Sequence, residues 1–358
     1  MKKVFVSGCY DIIHGGHVEF FKQARALGDY LIVCFAGDQS LKMHKNRKSS
    51  LPVSHKKSLL ESLSMVDEVV VGDDPIRGLD FKSHFLSIRP DFLVVTEDDR
   101  YESEKRALCA EIGAEYVVLP KELDYEKTST TDILNQIKAP SELPLRVDFA
   151  GGWLDVPKYA RENASIVNCA ISPMVSLSDW PYEKGGGLGG SAAFAILNGK
   201  DGVKEELKLG VGWQDPAVIR ETGLCVWKSG AEPRLEFKTS GEFLKGKMAL
   251  LWTGESHTTY EKTDLERDYD SIIQAGKLAR EAVLPGNEDF QKLCQAVQLS
   301  CEVQYGEGMK TLPSFEETAK KYCGGGWGGY ALYLFENELH RNQFLSLEQT
   351  VSIEPFIH

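Results

Sequence analysis

The stretch Val4–His17, with the sequence VFVSGCYDIIHGGH, decides how the first part of the chain folds. It begins with an apolar run of strand length, continues through a turn rich in glycine and histidine, and leads into Val18–Leu27, which has the spacing of a helix. A strand, a tight turn and a helix N-terminus together form an anion site, because free backbone N–H groups and the positive end of the helix dipole converge there. His14 and His17 can both face that point. The stretch therefore predicts a phosphate-binding turn with two imidazole donors.

Strand-like and helical patterns alternate from the first residues to about residue 138. The strand-like runs are Lys3–Ser7, Tyr30–Phe35, Glu68–Val71, Phe92–Val95 and Tyr116–Leu119, and the helical patterns are Val18–Leu27, His55–Met65, Phe81–Ile88 and Ser103–Ile112. Apolar strands separated by helices predict an α/β domain on a doubly wound parallel sheet, Rossmann-like in architecture. Ligands of such a sheet bind at the carboxyl ends of its strands, which is where the opening turn lies.

Composition and charge exclude several classes of function. The chain has 358 residues, enough for two or three domains, and its formal net charge of −12 argues against nucleic acid or an anionic membrane surface as a partner. Its apolar runs are about strand length, and its first residues enter a strand directly without the pattern of a signal peptide. The eight cysteines are scattered, with no Cys-x-x-Cys pair. We therefore expect reduced thiols and a cytoplasmic location rather than a disulfide or zinc framework.

The segment Gly8–His17 resembles the His-x-Gly-His signature of the cytidylyltransferase-like nucleotidyltransferases. Further blocks of that family follow in the same order: Ala26–Val33, Asp38–Lys45, Val66–Val70, Arg89–Val95 and Thr128–Thr131. Within the family the pattern is most similar to heptose-1-phosphate adenylyltransferase, followed by glycerol-3-phosphate cytidylyltransferase. The resemblance implies that a substrate phosphate attacks the α-phosphorus of a nucleoside triphosphate, CTP or ATP, and that pyrophosphate leaves. It also implies that Mg²⁺ accompanies the triphosphate.

The same resemblance implies a role for individual residues of these blocks. His14 and His17 donate to the triphosphate and to the charge that develops during transfer, and Lys45 joins them in catalysis. The other residues expected to bind the nucleotide are Gly8, Cys9 and Tyr10 beside the turn, Lys42 as a cation, and Thr128, Ser129 and Thr130 through their hydroxyls. Two histidines beside a helix start can also be ordinary cap residues, and the two lysines can belong to a solvated loop.

One segment departs from the family pattern. The glycerol-phosphate enzymes carry Arg-Thr-Glu-Gly before the Ser-Thr-Thr block, whereas this chain has Lys121–Lys127, KELDYEK. The sequence therefore leaves open which cation meets the triphosphate at this point.

A change in character near residue 138 predicts a domain boundary. Lys138–Pro144 contains two prolines and has no periodicity, so we expect a nucleotidyltransferase domain at 1–138, a linker at 139–144 and a second domain at 145–358. Beyond the linker, apolar runs alternate with glycine clusters, and helical spacing appears late, at Leu265–Leu284 and Asp289–Tyr305.

Three motifs of the second half, in order, resemble those of the GHMP small-molecule kinases. They are Leu145–Pro157 (LRVDFAGGWLDVP), Gly187–Ala193 (GLGGSAA) and the glycine-rich Cys323–Phe335, and Gly212–Asp215 fits the branch that phosphorylates heptose 7-phosphate and fucose. The resemblance implies an α+β GHMP-kinase-like domain. The spans from Asp155 to the glycine loop and from Ser191 to Asp215 are shorter than is usual in the family. The domain is therefore a shortened one, and its kinase activity is an open question.

The kinase resemblance also implies residue roles. Asp215 accepts the proton of the attacking hydroxyl, Asp155 binds sugar hydroxyls and Arg146 stabilises the moving phosphoryl group. The remaining expectations are nucleotide binding by Gly187, Gly189, Gly190 and Ser191, with Ser191 also on Mg²⁺, and substrate binding by Gly325 and Gly326. Asp215 can instead be a helix cap, and Arg146 a structural ion-pair partner. A metal-binding glutamate, Glu205 or Glu206, is not assigned by the sequence.

Together these features predict a bifunctional enzyme of sugar-nucleotide biosynthesis. A kinase step would phosphorylate a sugar, and nucleotidyl transfer would convert the sugar phosphate into an NDP-sugar. The alternative keeps only the transferase and makes the kinase-like half a substrate-binding or regulatory module. The expected partners are a nucleoside triphosphate and a sugar or sugar phosphate, without nucleic acid or membrane. The sequence leaves the oligomeric state open, with a homodimer as one option.

Overall fold

The computed structural model of the chain describes residues 1–45, 49–121, 128–256 and 266–358, apart from the side chains at 44 and 45. The chain divides into two compact units, Met1–Leu134 and Asn135–His358. The predicted linker, 139–144, overlaps with a strand that begins at Leu143. The extent of each domain otherwise stays a prediction.

The first unit alternates strands and helices. Its elements are β1 Lys3–Gly8, α1 Gly15–Arg25, β2 Tyr30–Ala36, α2 Asp38–Lys45, α3 Val53–Glu61, β3 Glu68–Gly72, α4 Lys82–Ile88, β4 Phe92–Thr96, α5 Glu102–Ile112 and β5 Glu115–Leu119, and the boundary between the two units falls inside α6 Thr130–Ile137. The strands form one parallel sheet in the order β3-β2-β1-β4-β5. The strand order reverses between β1 and β4, so the crevice at their carboxyl ends is where ligands of this architecture bind. The predicted doubly wound sheet is confirmed.

Successive side chains of β1 enter opposite sides of that sheet. Val4 and Val6 belong to a core shared with Phe21 of α1, whereas Phe5 packs against Phe85 of α4 on the other side, and all five side chains are fully buried. Burial on both faces explains why the strand is a continuous apolar run rather than an alternating one. It also fixes where β1 ends, and therefore where the turn that follows it begins.

One helix of the first unit was not predicted. The sequence predicts no helix at Asp38–Lys45, where Lys42 and Lys45 are expected to bind phosphate and a solvated loop is the alternative, whereas the structure forms α2 there. Asp38 lies in the first turn of this helix, where a negative charge complements the helix dipole. Leu41 is fully buried, and the Ser40 hydroxyl donates to the carbonyl of Gly72 at 2.9 Å. One apolar anchor and one long-range hydrogen bond hold a helix whose other residues are mostly polar.

The second unit combines two antiparallel sheets with helices. Its elements are β6 Leu143–Ala150, β7 Ser165–Val175, α7 Gly190–Leu197, α8 Gly202–Lys208, α9 Gln214–Glu221, β8 Leu224–Lys228, β9 Leu235–Thr239, β10 Met248–Trp252, α10 Tyr269–Ala282, α11 Phe290–Gly306, β11 Ala319–Tyr322, β12 Tyr330–Leu334, α12 Glu338–Phe344, β13 Thr350–Ser352 and β14 Glu354–Pro355. One sheet has the order β14-β7-β8-β9, with β6 also paired to β7, and the other has the order β11-β12-β10-β13. The predicted α+β class is confirmed. Helix α10 lies within the helical pattern Leu265–Leu284, and α11 follows the pattern Asp289–Tyr305 and ends one residue later.

Strand β6 is the element around which the second unit packs. All eight of its residues are buried, and its apolar side chains share one core with α7, α10 and α11. The polar side chains on this buried strand, Arg146 and Asp148, must therefore be paired internally.

Over the described part of the chain, no helix is both long and apolar enough to cross a membrane.

Candidate functional site

The turn after β1 is shaped by the ring of Tyr10. This residue is buried and has a φ of 41°, an uncommon backbone conformation for a residue with a side chain. Its ring lies edge-on to His17, with 5.1 Å between ring centroids. A Cβ at Gly8 would come within 2.7 Å of the Tyr10 ring, so glycine is needed there to make room. Gly8 and Tyr10 therefore shape the turn, and Cys9 lies half-buried between them.

The two histidines meet at the start of α1. His14 is the N-cap residue, His17 lies in the first turn, and their ring centroids are 3.8 Å apart. The Nδ1 atom of each ring is buried and has no hydrogen-bond partner among the described residues. Buried polar atoms are nearly always paired, so two adjacent orphans at a helix N-terminus mark a place where a ligand would complete the hydrogen bonding.

Both imidazoles are neutral at pH 7. Burial lowers the pKa of His14, and it lowers the pKa of His17 to about 4, helped by the neighbouring His14 and by the charge on Lys121. A neutral imidazole carries one N–H donor and adds no positive charge. Any further cation that a triphosphate needs at this turn must therefore come from another residue.

The N-terminus of α6 lies against the same turn. The Thr130 hydroxyl donates to the carbonyl of Ile12 at 3.4 Å, which ties the hydroxyl-rich segment to the histidine turn. The Ser129 hydroxyl donates to Asp132 at 2.7 Å, and the Asp132 amide returns a hydrogen bond to Ser129 at 3.2 Å. This reciprocal pairing caps the helix. Thr128 is exposed beside it.

Asp11 is a residue of this turn that sequence analysis did not single out. Its carboxylate is buried and accepts hydrogen bonds from the hydroxyls of Ser49 and Ser50 and from the Ser50 amide, at 2.9, 2.7 and 2.8 Å. It therefore holds Ser49 and Ser50 against the turn. Lys42 is exposed on α2, and the side chain of Lys45 lies outside the described part of the structure.

The second unit holds a cavity of about 690 Å³ where its glycine motifs meet. The structure brings together most of the residues predicted for the kinase-like site; those lining the cavity are Arg146, Asp155, Gly187, Gly189, Gly190, Ser191, Asp215 and Gly325. Gly326 does not line it. A Cβ at Gly326 would come within 2.4 Å of the Met309 sulfur, so this glycine allows close packing instead.

Arg146 is held in an ion-pair network. Its Nε and Nη2 atoms donate to the two oxygens of Asp215 at 2.6 and 2.8 Å, and Nη1 donates to the carbonyl of Gly187 at 2.7 Å. The arginine side chain is 4% exposed. This arrangement is the one expected of a structural ion-pair partner, the alternative that the sequence left open. Stabilisation of a moving phosphoryl group by Arg146 stays a prediction.

Asp148 links two of the glycine motifs. Its carboxylate forms a buried ion pair with Lys321, accepts a hydrogen bond from the Gly324 amide at 2.9 Å and lies 3.4 Å from Arg146. Burial alone would raise the pKa of Asp148, but the two cations hold that pKa below its usual value. The strand motif and the third glycine motif are thus joined through one carboxylate, and neither Asp148 nor Lys321 was singled out from sequence.

The carboxylates of Asp155 and Glu206 line the same cavity as Asp215. Asp155 is buried and accepts hydrogen bonds from the amide and the side chain of Gln214 at 3.2 and 3.1 Å. Burial and the charge on Asp215 raise the pKa values of both Asp155 and Glu206 to about 7. Glu206 is buried beside Ser191, to which it is hydrogen-bonded, whereas Glu205 pairs with Lys208 on the surface. Of the two candidate glutamates, Glu206 is the one at the cavity.

The donors in this cavity suit Mg²⁺ only in company with phosphate. No group of three or more His, Cys, Asp or Glu side chains within the described ranges could hold a metal ion by itself. The Ser191 hydroxyl and the Glu206 carboxylate are adjacent oxygen donors, the type of ligand that Mg²⁺ prefers, and Mg²⁺ commonly takes one or two protein ligands together with substrate phosphates. These two residues fit a nucleotide-bound Mg²⁺.

Comparison with known proteins finds relatives for the first unit. Residues 5–136 match the family model described as cytidylyltransferase-like. The FAD synthase of Ferroglobus placidus is 34% identical over 144 residues, which are 38% of this chain and 88% of that protein. The bifunctional protein HldE of Campylobacter fetus subsp. fetus is also 34% identical, over 139 residues that are 38% of this chain and 28% of that protein.

Two solved structures show partial similarity to the chain. The lipopolysaccharide core biosynthesis protein from Thermoplasma volcanium covers 35% of this chain and 99% of its own, with 23% identity and a TM-score of 0.30. A mevalonate kinase structure covers 60% of this chain and 98% of its own, with 14% identity and a TM-score of 0.46.

Proposed function

Because this chain belongs to the cytidylyltransferase-like nucleotidyltransferases through its N-terminal unit, we propose that it transfers a nucleotidyl group from CTP or ATP to a sugar phosphate and releases pyrophosphate. The C-terminal unit would supply that sugar phosphate as an ATP-dependent kinase. The observation that carries the transferase proposal is the pair of orphaned imidazole nitrogens at the start of α1.

The N-terminal unit would act by binding and positioning. The phosphates of the nucleotide would lie at the N-terminus of α1, where backbone N–H groups and the helix dipole favour negative charge. His14 and His17, both neutral, would donate hydrogen bonds to the phosphates as charge moves from the attacking phosphate toward the leaving pyrophosphate. Such donors need no reorganisation during the reaction, which is the main source of this kind of catalysis. No covalent intermediate on the protein is required.

The C-terminal unit would act on a sugar hydroxyl. The N-terminus of α7 would hold the nucleotide phosphates, and Ser191 with Glu206 would hold Mg²⁺, which neutralises phosphate charge when bound. Asp215 would accept the proton of the attacking hydroxyl. Arg146 would then be a positioning residue, because it fixes both oxygens of Asp215.

A second candidate acceptor is FMN. The relatives named FAD synthase from Ferroglobus placidus and Pyrococcus horikoshii are 34% and 33% identical to the first unit, and the matches cover 88% and 91% of those proteins. In this case ATP would be the donor and FAD the product. The kinase-like unit would then be a binding or regulatory module. It would have the same role if Asp215 served only as the ion-pair partner of Arg146 and accepted no proton.

Pyrophosphate release tests the transferase proposal. The protein is incubated with CTP or ATP and with FMN or one of a panel of sugar 1-phosphates, and His17→Ala is compared with His55→Ala, an exposed histidine on α3. We expect acceptor-dependent release that falls about 10²–10³-fold in His17→Ala only, the usual loss on removing a preorganised donor. Release that is unchanged in His17→Ala would refute the site. Release with FMN but no sugar phosphate would select the second candidate.

Sugar-dependent ADP release tests the kinase proposal. Asp215→Asn is compared with Asp270→Asn, an exposed aspartate on α10. We expect ADP release to depend on a free sugar or a sugar phosphate and to be lost in Asp215→Asn. Transferase activity without sugar-dependent ADP release would favour a binding or regulatory role for the C-terminal unit.

A further inference from the structure

Lys121 lies at the carboxyl edge of the sheet in the first unit, directly beyond β5. Its Nζ atom is 2.5 Å from a carboxylate oxygen of Asp98, which follows β4. The same aspartate accepts a hydrogen bond from the Thr96 hydroxyl at 2.6 Å, at the end of β4. Strand β4 is the neighbour of β1, so this ion pair and the histidine turn share one edge of the sheet.

The charge on Lys121 reaches both histidines of that turn. Burial lowers the pKa of His14 and of His17, and Lys121 lowers both pKa values further. Lys121 follows β5 on the sheet edge where the turn after β1 lies, so its positive charge favours an anion bound at that edge. Since the rings themselves are neutral, this lysine adds a positive charge that the two histidines do not supply.

We propose that Lys121 is the cation that binds the β- and γ-phosphates of the nucleoside triphosphate, and that Asp98 holds its side chain beside the site until the nucleotide binds. This inference rests on the proposed transferase function. Lys121 is the residue of the stretch Lys121–Lys127, where the sequence left the cation open, that the structure describes.

The ion pair with Asp98 is of a kind that exchanges easily. The side chains of Lys121 and Asp98 are 49% and 61% exposed, and ion pairs in such surroundings add little to stability. A triphosphate offers several negative charges, and hydrogen bonds from a cation to phosphate oxygens are among the stronger ones in proteins. Lys121 would therefore leave Asp98 for the triphosphate and remain with the departing pyrophosphate.

Equilibrium binding tests the proposal in the full chain. The probes are non-hydrolysable analogues of CTP and ATP, with CMP and AMP for comparison. The variants are Lys121→Gln, Lys121→Arg and a matched control, Lys57→Gln, whose side chain is also about half exposed and paired with Glu61. The asymmetry between tri- and monophosphate is informative, because a contact to the β- and γ-phosphates is missing from a monophosphate.

We expect Lys121→Gln to weaken triphosphate binding about tenfold or more, the usual scale of a charged hydrogen bond, and to change monophosphate binding less than about twofold. Lys121→Arg should restore most of the affinity, and pyrophosphate should inhibit Lys121→Gln less than the native protein. Equal losses for both nucleotides, or a loss no larger than that of Lys57→Gln, would overturn the proposal.

Two further measurements separate a direct role from a structural one. NMR titration without nucleotide should show higher pKa values for His14 and His17 in Lys121→Gln, and unchanged values would contradict the inferred proximity. Asp98→Asn should bind the triphosphate as tightly as the native protein or more tightly, and a loss like that of Lys121→Gln would refute the holding role of Asp98. If the native protein releases pyrophosphate and Lys121→Gln is unaffected, only this inference fails. If the native protein binds no nucleotide, the proposed function fails with it.

Discussion

Replacing Asp148 by asparagine would leave Lys321 as a buried cation without its carboxylate. The side chains of Asp148 and Lys321 are each 3% exposed, so water cannot compensate for the lost charge. The lysine would keep the backbone carbonyl of residue 148 at 3.1 Å, and Arg146 would keep Asp215. Removing one partner of a buried ion pair typically costs about 3–5 kcal/mol, because the other partner stays desolvated.

A double-mutant cycle measures this coupling. We expect Asp148→Asn and Lys321→Met each to lower the free energy of unfolding of the C-terminal unit by about 3 kcal/mol, or by about 6–12 °C in melting temperature for a unit of this size. In the double variant both charges are removed, so it should be more stable than the sum of the single losses predicts, by about 2–3 kcal/mol.

Differential scanning calorimetry or urea unfolding followed by tryptophan fluorescence can report these changes. The transition of the N-terminal unit is an internal control, since Asp148 and Lys321 both lie in the C-terminal unit. Single losses that add up within about 0.5 kcal/mol would refute the reasoning, because independent sites behave in that way. A single-variant loss below about 1 kcal/mol would likewise mean that the pair is not effectively buried.

Three further predictions concern single residues. Since the pKa of Asp155 is raised to about 7, the native state keeps a proton that the unfolded state releases near pH 4. The free energy of unfolding should therefore fall as pH rises from about 4 to 7. Urea unfolding of Asp155→Asn should show a flatter pH dependence than that of the native protein. Gly8→Ala should lower the stability of the N-terminal unit by about 1–3 kcal/mol, because the new Cβ would overlap the Tyr10 ring, and calorimetry showing no change would contradict that contact. Asp11→Asn should speed hydrogen exchange at the Ser50 amide and weaken nucleotide binding, whereas unchanged exchange would mean that the Asp11 carboxylate does not hold Ser50.

The strands of the parallel sheet and the turn after β1 could be predicted because each is marked by a local pattern of residues. Strands β1 and β2 are recognisable as apolar runs because both faces of the sheet are covered by helices. The glycines and histidines of the first turn come directly after β1 in the sequence, so their place at the end of a strand could be predicted. The short helix α2 escaped prediction because Leu41 is a single buried apolar residue among mostly polar neighbours, too few to give a helical pattern.

Long-range polar pairs were beyond the reach of sequence reasoning. Asp11 meets Ser50 across 39 positions and Asp148 meets Lys321 across 173, and no periodicity marks such partners. The choice between Glu205 and Glu206 was equally hidden, since neighbours on a helix point in different directions and only the packing of α8 decides which one is buried. Charged residues inside a largely apolar strand, as at Arg146 and Asp148, are the signal that could have prompted a search for partners.

In the proposed reaction, the phosphate of the acceptor attacks the α-phosphorus of a nucleotide bound to the N-terminal unit, pyrophosphate leaves, and no covalent intermediate forms on the protein. Radiolabel tracing with α- or γ-³²P-labelled CTP and ATP in the Asp215→Asn variant, which lacks the proposed kinase base, tests it directly. We predict that α-label appears in the acceptor product and γ-label in pyrophosphate, with no label on the protein, and that His17→Ala abolishes both. Transfer of γ-label to the acceptor, or α-label retained on the protein after denaturation, would contradict this mechanism.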